Sequence, residues 1–280
     1  MTPSSRGSMP PLRTALYQGP GGVPATTGAA LTALDGAARR AAADGARLLV
    51  ASELYLTGYA LGDRLPELAE DASGPGARAA ARIAAEHGIA LAYGYPERSG
   101  RALYNSVQLI GPDGTRLANY RKTHLYGGYE RAWFTPGDQL VVQAELHGFR
   151  IGLLICYDVE FPEAVRAHAL AGTELLLVPT ALMRPYEIVA QAVLPARALE
   201  SQLYIAYANR CGPEGEFSFT GLSRLVAPDG TVRTSAGTGE ELVAADADPA
   251  HQAASRAANP YLTDRRPELY HDHPQGEPRR

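Results

Sequence analysis

Three side chains in this sequence stand where chemistry is possible: a carboxylate, an amine and a thiol, each at or near the end of an apolar run. Glu53 interrupts Leu48-Leu-Val-Ala-Ser-Glu-Leu-Tyr-Leu56. A carboxylate there is costly to bury unless a partner holds it or a task needs its pKa shifted. Lys122, in Asn119-Tyr-Arg-Lys-Thr-His124, offers a point charge against developing negative charge. Cys156 follows Ile151-Gly-Leu-Leu-Ile155 and precedes Tyr157-Asp-Val-Glu-Phe-Pro-Glu163, where a strand meets a helix. Backbone N–H groups at such a junction are free to face an oxyanion, and a helix N-terminus lowers a thiol pKa. Taken singly, each residue has an ordinary reading: an edge glutamate reaching water, a solvated lysine, a buried structural thiol. Together, each at the C-terminal end of a different strand, they point to one rim of an α/β sheet, where ligand sites form.

The elements that must position them alternate. Apolar runs at 13–18, 47–52 and 89–95 read as strands, separated by Ala-rich helices at 28–43 and 78–86. A strand at 104–110 turns through Gly111-Pro-Asp-Gly114 into 115–122, a hairpin. After a loop rich in aromatics and glycine, 141–146 and 150–156 read as strands, and a helix starts near Pro162. Strand 175–179, helix 186–201 and strand 203–209 follow, then a second Pro-Asp-Gly hairpin at 222–235 and a strand at 241–246. The repeated turn is a weak sign of internal duplication. This grammar predicts an α/β protein with mixed sheets covered by helices, one domain over 12–258, with a disordered extension at 1–11 and a polar tail at 259–280. Met9 is a second candidate start site.

Composition narrows the function class. The 280 residues are 45% hydrophobic and 20% charged, enough for a sizeable core. A net charge of -4 leaves no basic footprint for nucleic acid or an anionic membrane, so a small molecule is the expected partner. Cys156 and Cys211 are too few for a disulfide framework and fit a reducing compartment, expected to be the cytoplasm. No signal peptide is expected, and no segment approaches the roughly 18 apolar residues of a membrane span. Gly19-Pro-Gly-Gly-Val-Pro24 follows the first strand but lacks the third glycine of a dinucleotide loop, and no G-x-S-x-G elbow occurs. The histidines are scattered, with His271 and His273 in the tail, so no metal site is expected.

In their order, the three motifs resemble those of the nitrilase (carbon-nitrogen hydrolase) superfamily: Ala51-Ser-Glu-Leu-Tyr-Leu-Thr-Gly-Tyr59, Tyr120-Arg-Lys-Thr-His-Leu125 and Leu154-Ile-Cys-Tyr-Asp-Val-Glu-Phe-Pro-Glu163. The likeness spans nearly the whole chain, through Tyr93-Gly-Tyr-Pro-Glu-Arg98 and Tyr104-Asn-Ser-Val-Gln108 to Pro260-Tyr-Leu-Thr-Asp264. It implies a four-layer α-β-β-α sandwich, commonly a homodimer or higher homo-oligomer, working without metal or organic cofactor. It also implies roles. Cys156 is the nucleophile, Glu53 the general base and acid, and Lys122 an oxyanion donor with the backbone N–H of Tyr157; Glu130 is a supporting carboxylate that taken alone reads as a loop ion pair. Nitrile-cleaving branches carry Trp after the nucleophile. Tyr157-Asp158 here resembles the amidase branches, among them 5-aminopentanamidases and stereoselective aliphatic amidases, which implies an ω-amino or ω-guanidino alkanamide as substrate. Glu160, Glu187, Tyr157 or Trp133 is then expected to meet its cationic end. Competing expectations are an N-carbamoyl-amine hydrolase, a 4-guanidinobutanamide amidase, acyl transfer to an amine, and a non-enzymatic interaction module; the intact Glu53, Lys122 and Cys156 set argues against the last.

Overall fold

The structure, a computed structural model, describes residues 9–270; the sequence expectations for 1–8 and 271–280, His271 and His273 included, lie outside the described residues. The first sheet contains β1 (Leu12–Gln18), β2 (Leu48–Ala51), β3 (Ala90–Ser99), β4 (Ala102–Ile110), β5 (Arg116–Arg121) and β14 (Glu241–Ala247) in the order β14-β1-β2-β3-β4-β5. The second contains β6 (Gln143–Leu146), β7 (Phe149–Leu153), β8 (Leu175–Pro179), β9 (Tyr204–Ala208), β12 (Arg224–Val226) and β13 (Val232–Ser235) in the order β13-β12-β9-β8-β7-β6. Parallel triplets β1-β2-β3 and β7-β8-β9 form the centres, and antiparallel strands the edges.

Strand periodicity produces the layers. Successive side chains point to opposite faces, so Leu16, Leu48 and Val50 join Ile151, Leu153 and Leu177 of the other sheet in one core. Their neighbours Ala15, Tyr17, Leu49 and Ala51 pack outward against α1 (Thr27–Ala43) and α3 (Pro75–His87). On the far side, Val165 and Ala169 of α5 (Pro162–Leu170) and Ala198 of α6 (Leu194–Ser201) close the same core. The molecule is thus a four-layer α-β-β-α sandwich. Small alanines at 37, 38, 41, 80 and 84 let the outer helices approach the sheet closely.

Several elements differ from expectation for local reasons. The helical run at 186–201 contains a wide π turn, Val189–Val193, just before Pro195, whose missing N–H and ring clash prevent a regular α-helix there. The aromatic loop after β5 holds a short helix, α4 (Gly127–Trp133), and a small hairpin, β10 (Cys211–Glu214) with β11 (Phe217–Thr220), follows β9. A further helix, α7 (Pro249–Ala258), starts at Asp248, whose side chain accepts from Ala250 N, with Pro249 in its first turn. Both Pro-Asp-Gly hairpins use one device: Asp113 accepts from Thr115 N at 2.9 Å, and Asp229 from Thr231 N at 3.0 Å. Met9 is half-buried against the core.

One buried group makes stability acid-sensitive. His168 on α5 is enclosed between Thr173 Oγ1 (3.1 Å) and Leu140 O (3.2 Å), and burial lowers its pKa from 6.5 to about 4. Between those values the unfolded chain binds a proton that the folded chain refuses, so stability falls as pH drops through this window, by about 3 kcal/mol in total. Urea midpoints at pH 7 and 4.5 should therefore converge in His168→Gln relative to the wild type; an unchanged gap would assign the acid sensitivity to other groups.

Candidate active site

Each of the three chemical residues lies just beyond a strand end. β2 stops at Ala51, and Glu53 begins a turn in which Leu54 takes a positive φ of 47°. Gly94 on β3 permits this approach, since a Cβ there would lie 2.7 Å from Glu53 Cα. β5 stops at Arg121, and Lys122 is pinned by its backbone: its N–H donates to Asn105 O and its carbonyl accepts from Gly137 N, both at 2.8 Å. β7 stops at Leu153, three residues earlier than the expected run to 156, and Cys156 opens a 3₁₀ turn with φ 46°. Such φ values for non-glycine residues are strained and cluster at functional sites. The expectation of one sheet rim needs correction: β2 and β5 belong to the first sheet and β7 to the second, so the site bridges the two facing sheets.

Lys122 is the centre of the cluster. Its Nζ donates to Glu53 Oε1 at 2.7 Å and to Glu130 Oε1 at 2.6 Å, with all three side chains fully buried. Glu130, on α4, also accepts from Tyr59 OH (2.8 Å) and Tyr126 N (2.8 Å). Glu53 Oε1 accepts in addition from Asn105 Nδ2 at 2.6 Å, while Glu53 Oε2 has no hydrogen-bond partner among the described residues. Two carboxylates thus surround one ammonium, whose third N–H is uncommitted to either.

Burial decides the protonation states. It pushes Glu53 up to about 7, with Glu130 raising it further and Lys122 and Asn105 pulling it down. Burial alone would lower Lys122, but Glu130 and Glu53 override it and hold the ammonium well above its usual value. The Cys156 thiol is pushed well above its normal range, by burial first and then by Glu53, with Lys122 opposing. This corrects the expected thiol lowered by a helix N-terminus: only a single 3₁₀ turn begins there, and desolvation wins. A neutral thiol next to an ionised carboxylate needs a base rather than being a preformed thiolate.

Residues without an assigned role in the sequence reading hold the site together. Asp158 accepts from Tyr120 OH (2.9 Å), Thr123 Oγ1 (3.0 Å), His124 N (2.8 Å) and Ile155 N (3.0 Å), tying the cysteine turn to the lysine strand end. Arg210, buried and paired with Glu214 at 2.6 Å, braces the glutamate loop while Glu214 accepts from Ala60 N. Asp158, Tyr59 and Asn105 stand inside the recognised motifs, yet most of their partners lie in segments distant along the chain. Arg210 and Glu214 carry the one local signal, an ionic pair four residues apart.

A cavity of ≈ 260 Å³ opens at Cys156, lined by Tyr126, Tyr157, Glu160, Tyr186, Ala181, Leu182 and Met183. Tyr126 packs edge-on to Tyr157 (5.2 Å) and Tyr186 (6.4 Å). Glu160 is raised by burial, with Lys122 and Arg197 pulling it back towards the ionised form. The structure therefore brings Glu53, Lys122, Glu130, Cys156, Tyr157 and Glu160 together. Two expected substrate-binding residues stand elsewhere: Trp133 packs into the apolar cluster with Phe134, and Glu187 pairs with Arg184 at 2.9 Å, so neither lines the cavity. Among the described residues no group of three or more His, Cys, Asp or Glu side chains is arranged for a metal, and no helix is long and apolar enough to cross a membrane.

Comparison with known proteins bears on this geometry. Residues 13–257 match the family model described as carbon-nitrogen hydrolase. A protein of Pseudomonas protegens described as a hydrolase in the pqqF 5' region is 50% identical over 81% of this chain and 80% of its own. An (R)-stereoselective amidase of a Pseudomonas species is 38% identical, over 78% of this chain and 79% of its own. Among solved structures, a mutant of the Nesterenkonia AN1 amidase from the nitrilase superfamily superposes with a TM-score of 0.83 at 37% identity, covering 94% of this chain and 97% of its own. That amidase has also been solved with butyramide bound and with acrylamide added at its active-site cysteine.

Proposed function

Because this chain belongs to the carbon-nitrogen hydrolase family and is an amide-hydrolysing enzyme of the nitrilase superfamily, we propose that Glu53, Lys122 and Cys156 hydrolyse a small aliphatic amide whose far end carries a cation. The observation supporting this most directly is the buried ammonium of Lys122 held between Glu53 and Glu130 beside a neutral thiol.

The steps follow from the protonation states. Glu53 takes the thiol proton as Cys156 Sγ attacks the amide carbon, and the carbonyl π electrons move onto oxygen. The oxyanion is met by the third N–H of Lys122 and the backbone N–H of Tyr157. Glu53 returns the proton to the amide nitrogen, the C–N bond breaks, and ammonia leaves a thioester on Cys156. Water then gives a proton to Glu53 and attacks the thioester; the C–S bond breaks and the proton returns to sulfur, releasing the acid. Since Glu53 must be ionised to start, kcat/KM should rise with pH through about 7.

Glu160 and the tyrosines at 126, 157 and 186 support the cationic end: one carboxylate and several aromatic faces line the wall of the ≈ 260 Å³ cavity. The test is ammonia release from 5-aminopentanamide, 4-guanidinobutanamide, butyramide and N-carbamoylputrescine. Release from the cationic amides supports the reading, whereas carbon dioxide from the carbamoyl compound would move the substrate to that class. Glu160→Gln should raise KM for 5-aminopentanamide about tenfold, the equivalent of roughly 1.4 kcal/mol, and leave butyramide unchanged; equal effects on both would remove Glu160 from cation recognition.

A further inference from the structure

The two oxygens of Glu53 are in different situations, and one residue makes them so. Oε1 accepts two charged or polar donors, Lys122 Nζ at 2.7 Å and Asn105 Nδ2 at 2.6 Å. Oε2 is buried and accepts none among the described residues. Asn105 lies on β4, 1% exposed, and acts twice: its side chain donates to the glutamate while its backbone carbonyl accepts from Lys122 N at 2.8 Å. It thereby holds the carboxylate and the ammonium in register with one strand. Its own Oδ1 is buried without a hydrogen-bond partner among the described residues, as is Glu53 Oε2. Buried unpaired acceptors are rare and costly, so two in one cluster call for a functional reason. The alternative amide orientation offers no relief, since it would aim Oδ1 at a carboxylate oxygen.

Resting on the reading of Glu53 as the base, we propose that Asn105 is a positioning residue that divides labour within this carboxylate: it shares Oε1 with Lys122, which anchors that oxygen, and leaves Oε2 as the atom that carries the proton between Cys156, the leaving nitrogen and water. An oxygen already accepting two hydrogen bonds is a poor proton acceptor, whereas an unpaired one is desolvated and ready. Without the Asn105 donor, the carboxylate is free to rotate about its last torsion and present either oxygen to Lys122, so the base is correctly placed only part of the time. The donor also favours the ionised form of Glu53. The other titratable or charged groups facing Glu53 are Lys122, Glu130, Cys156, Tyr59, Tyr207 and Arg210.

The experiment compares Asn105→Ala and the isosteric Asn105→Asp with Glu53→Gln, reading pH profiles of kcat/KM on butyramide and of Cys156 alkylation by iodoacetamide. Asn105→Ala should lower kcat about tenfold or more with KM little changed, and move the acidic limb of both profiles upward by about half to one pH unit. Asn105→Asp preserves the shape, and melting curves of both Asn105 variants check that they fold. Asn105→Asp places a second carboxylate beside Oε1, and the limb should move further in the same direction because adjacent carboxylates share a proton. Glu53→Gln should abolish the limb. A Glu53→Gln variant with wild-type turnover would overturn the assignment of the base itself. An inactive Glu53→Gln together with wild-type limbs in both Asn105 variants would overturn the role of Asn105 alone.

Discussion

Cys156→Ala should reduce amide hydrolysis to background, a loss on the order of 10⁵-fold, while the protein keeps its fold and its affinity for substrate. The change removes one sulfur from a half-buried residue that lines the cavity, so little packing is lost. The positive φ of 46° at this position is imposed by the turn between β7 and α5 and persists with alanine. The Asp158 hydrogen bonds that define the turn involve no cysteine atom. Melting temperature should therefore stay within a few degrees of the wild type, and butyramide should still bind by calorimetry. Residual turnover above a few thousandths of the wild-type rate in a folded variant would mean that Glu53 activates water directly, and the thioester scheme would have to be abandoned.

What the chain reveals unaided follows from how local each feature is. Glu53, Lys122 and Cys156 are legible because each sits at the end of an apolar run, and a chemical group there is costly without a task. That strands such as 48–51 are covered on both faces is legible from their unbroken apolar run, one face going to the opposite sheet and the other to α1 and α3, whereas the four-layer stacking was implied only by the family resemblance. The state of the thiol is not legible, because it depends on burial created by the second sheet and on Glu53, about a hundred residues away in sequence. The same is true of Asn105, which reaches Glu53 only because β4 pairs with β3 and β3 with β2. Glu187 and Trp133 illustrate the opposite error: residue type made them suitable for a cation, but a nearby arginine and an aromatic cluster claimed them first. In α7, by contrast, the signal was present. Asp248 followed by Pro249 is a cap and first-turn pair, obscured by a helix that has alanines but no large apolar side chain to mark a buried stripe.

Lys122→Met should damage both catalysis and stability, and the two losses should respond to pH in a linked way. Methionine follows the unbranched stem of lysine and is one atom shorter, so the variant leaves only a small void where the ammonium stood. What disappears is the ammonium that Glu53 and Glu130 share at 2.7 and 2.6 Å. Two buried carboxylates left facing one another without a counter-charge cost about 3–5 kcal/mol at neutral pH. The like-charge pair then takes up a proton in the folded state, raising the carboxyl pKa further above its unfolded value of 4.5. Folded chains thus bind more protons than unfolded chains across this window. Stability is highest at low pH and is lost as pH rises through the raised folded pKa. Lys122→Met should accordingly gain several degrees in melting temperature relative to the wild type between pH 8 and pH 5.5. Activity cannot follow, because the oxyanion has lost its charged donor and the base is protonated. Turnover should fall at least about 10³-fold at every pH. Glu130→Gln keeps the ammonium and one carboxylate, so it should fold normally and lose less activity. If Lys122→Met were as stable as the wild type at pH 8, the ammonium would not be the charge that balances this pair of carboxylates, and the electrostatic account of the site would fail.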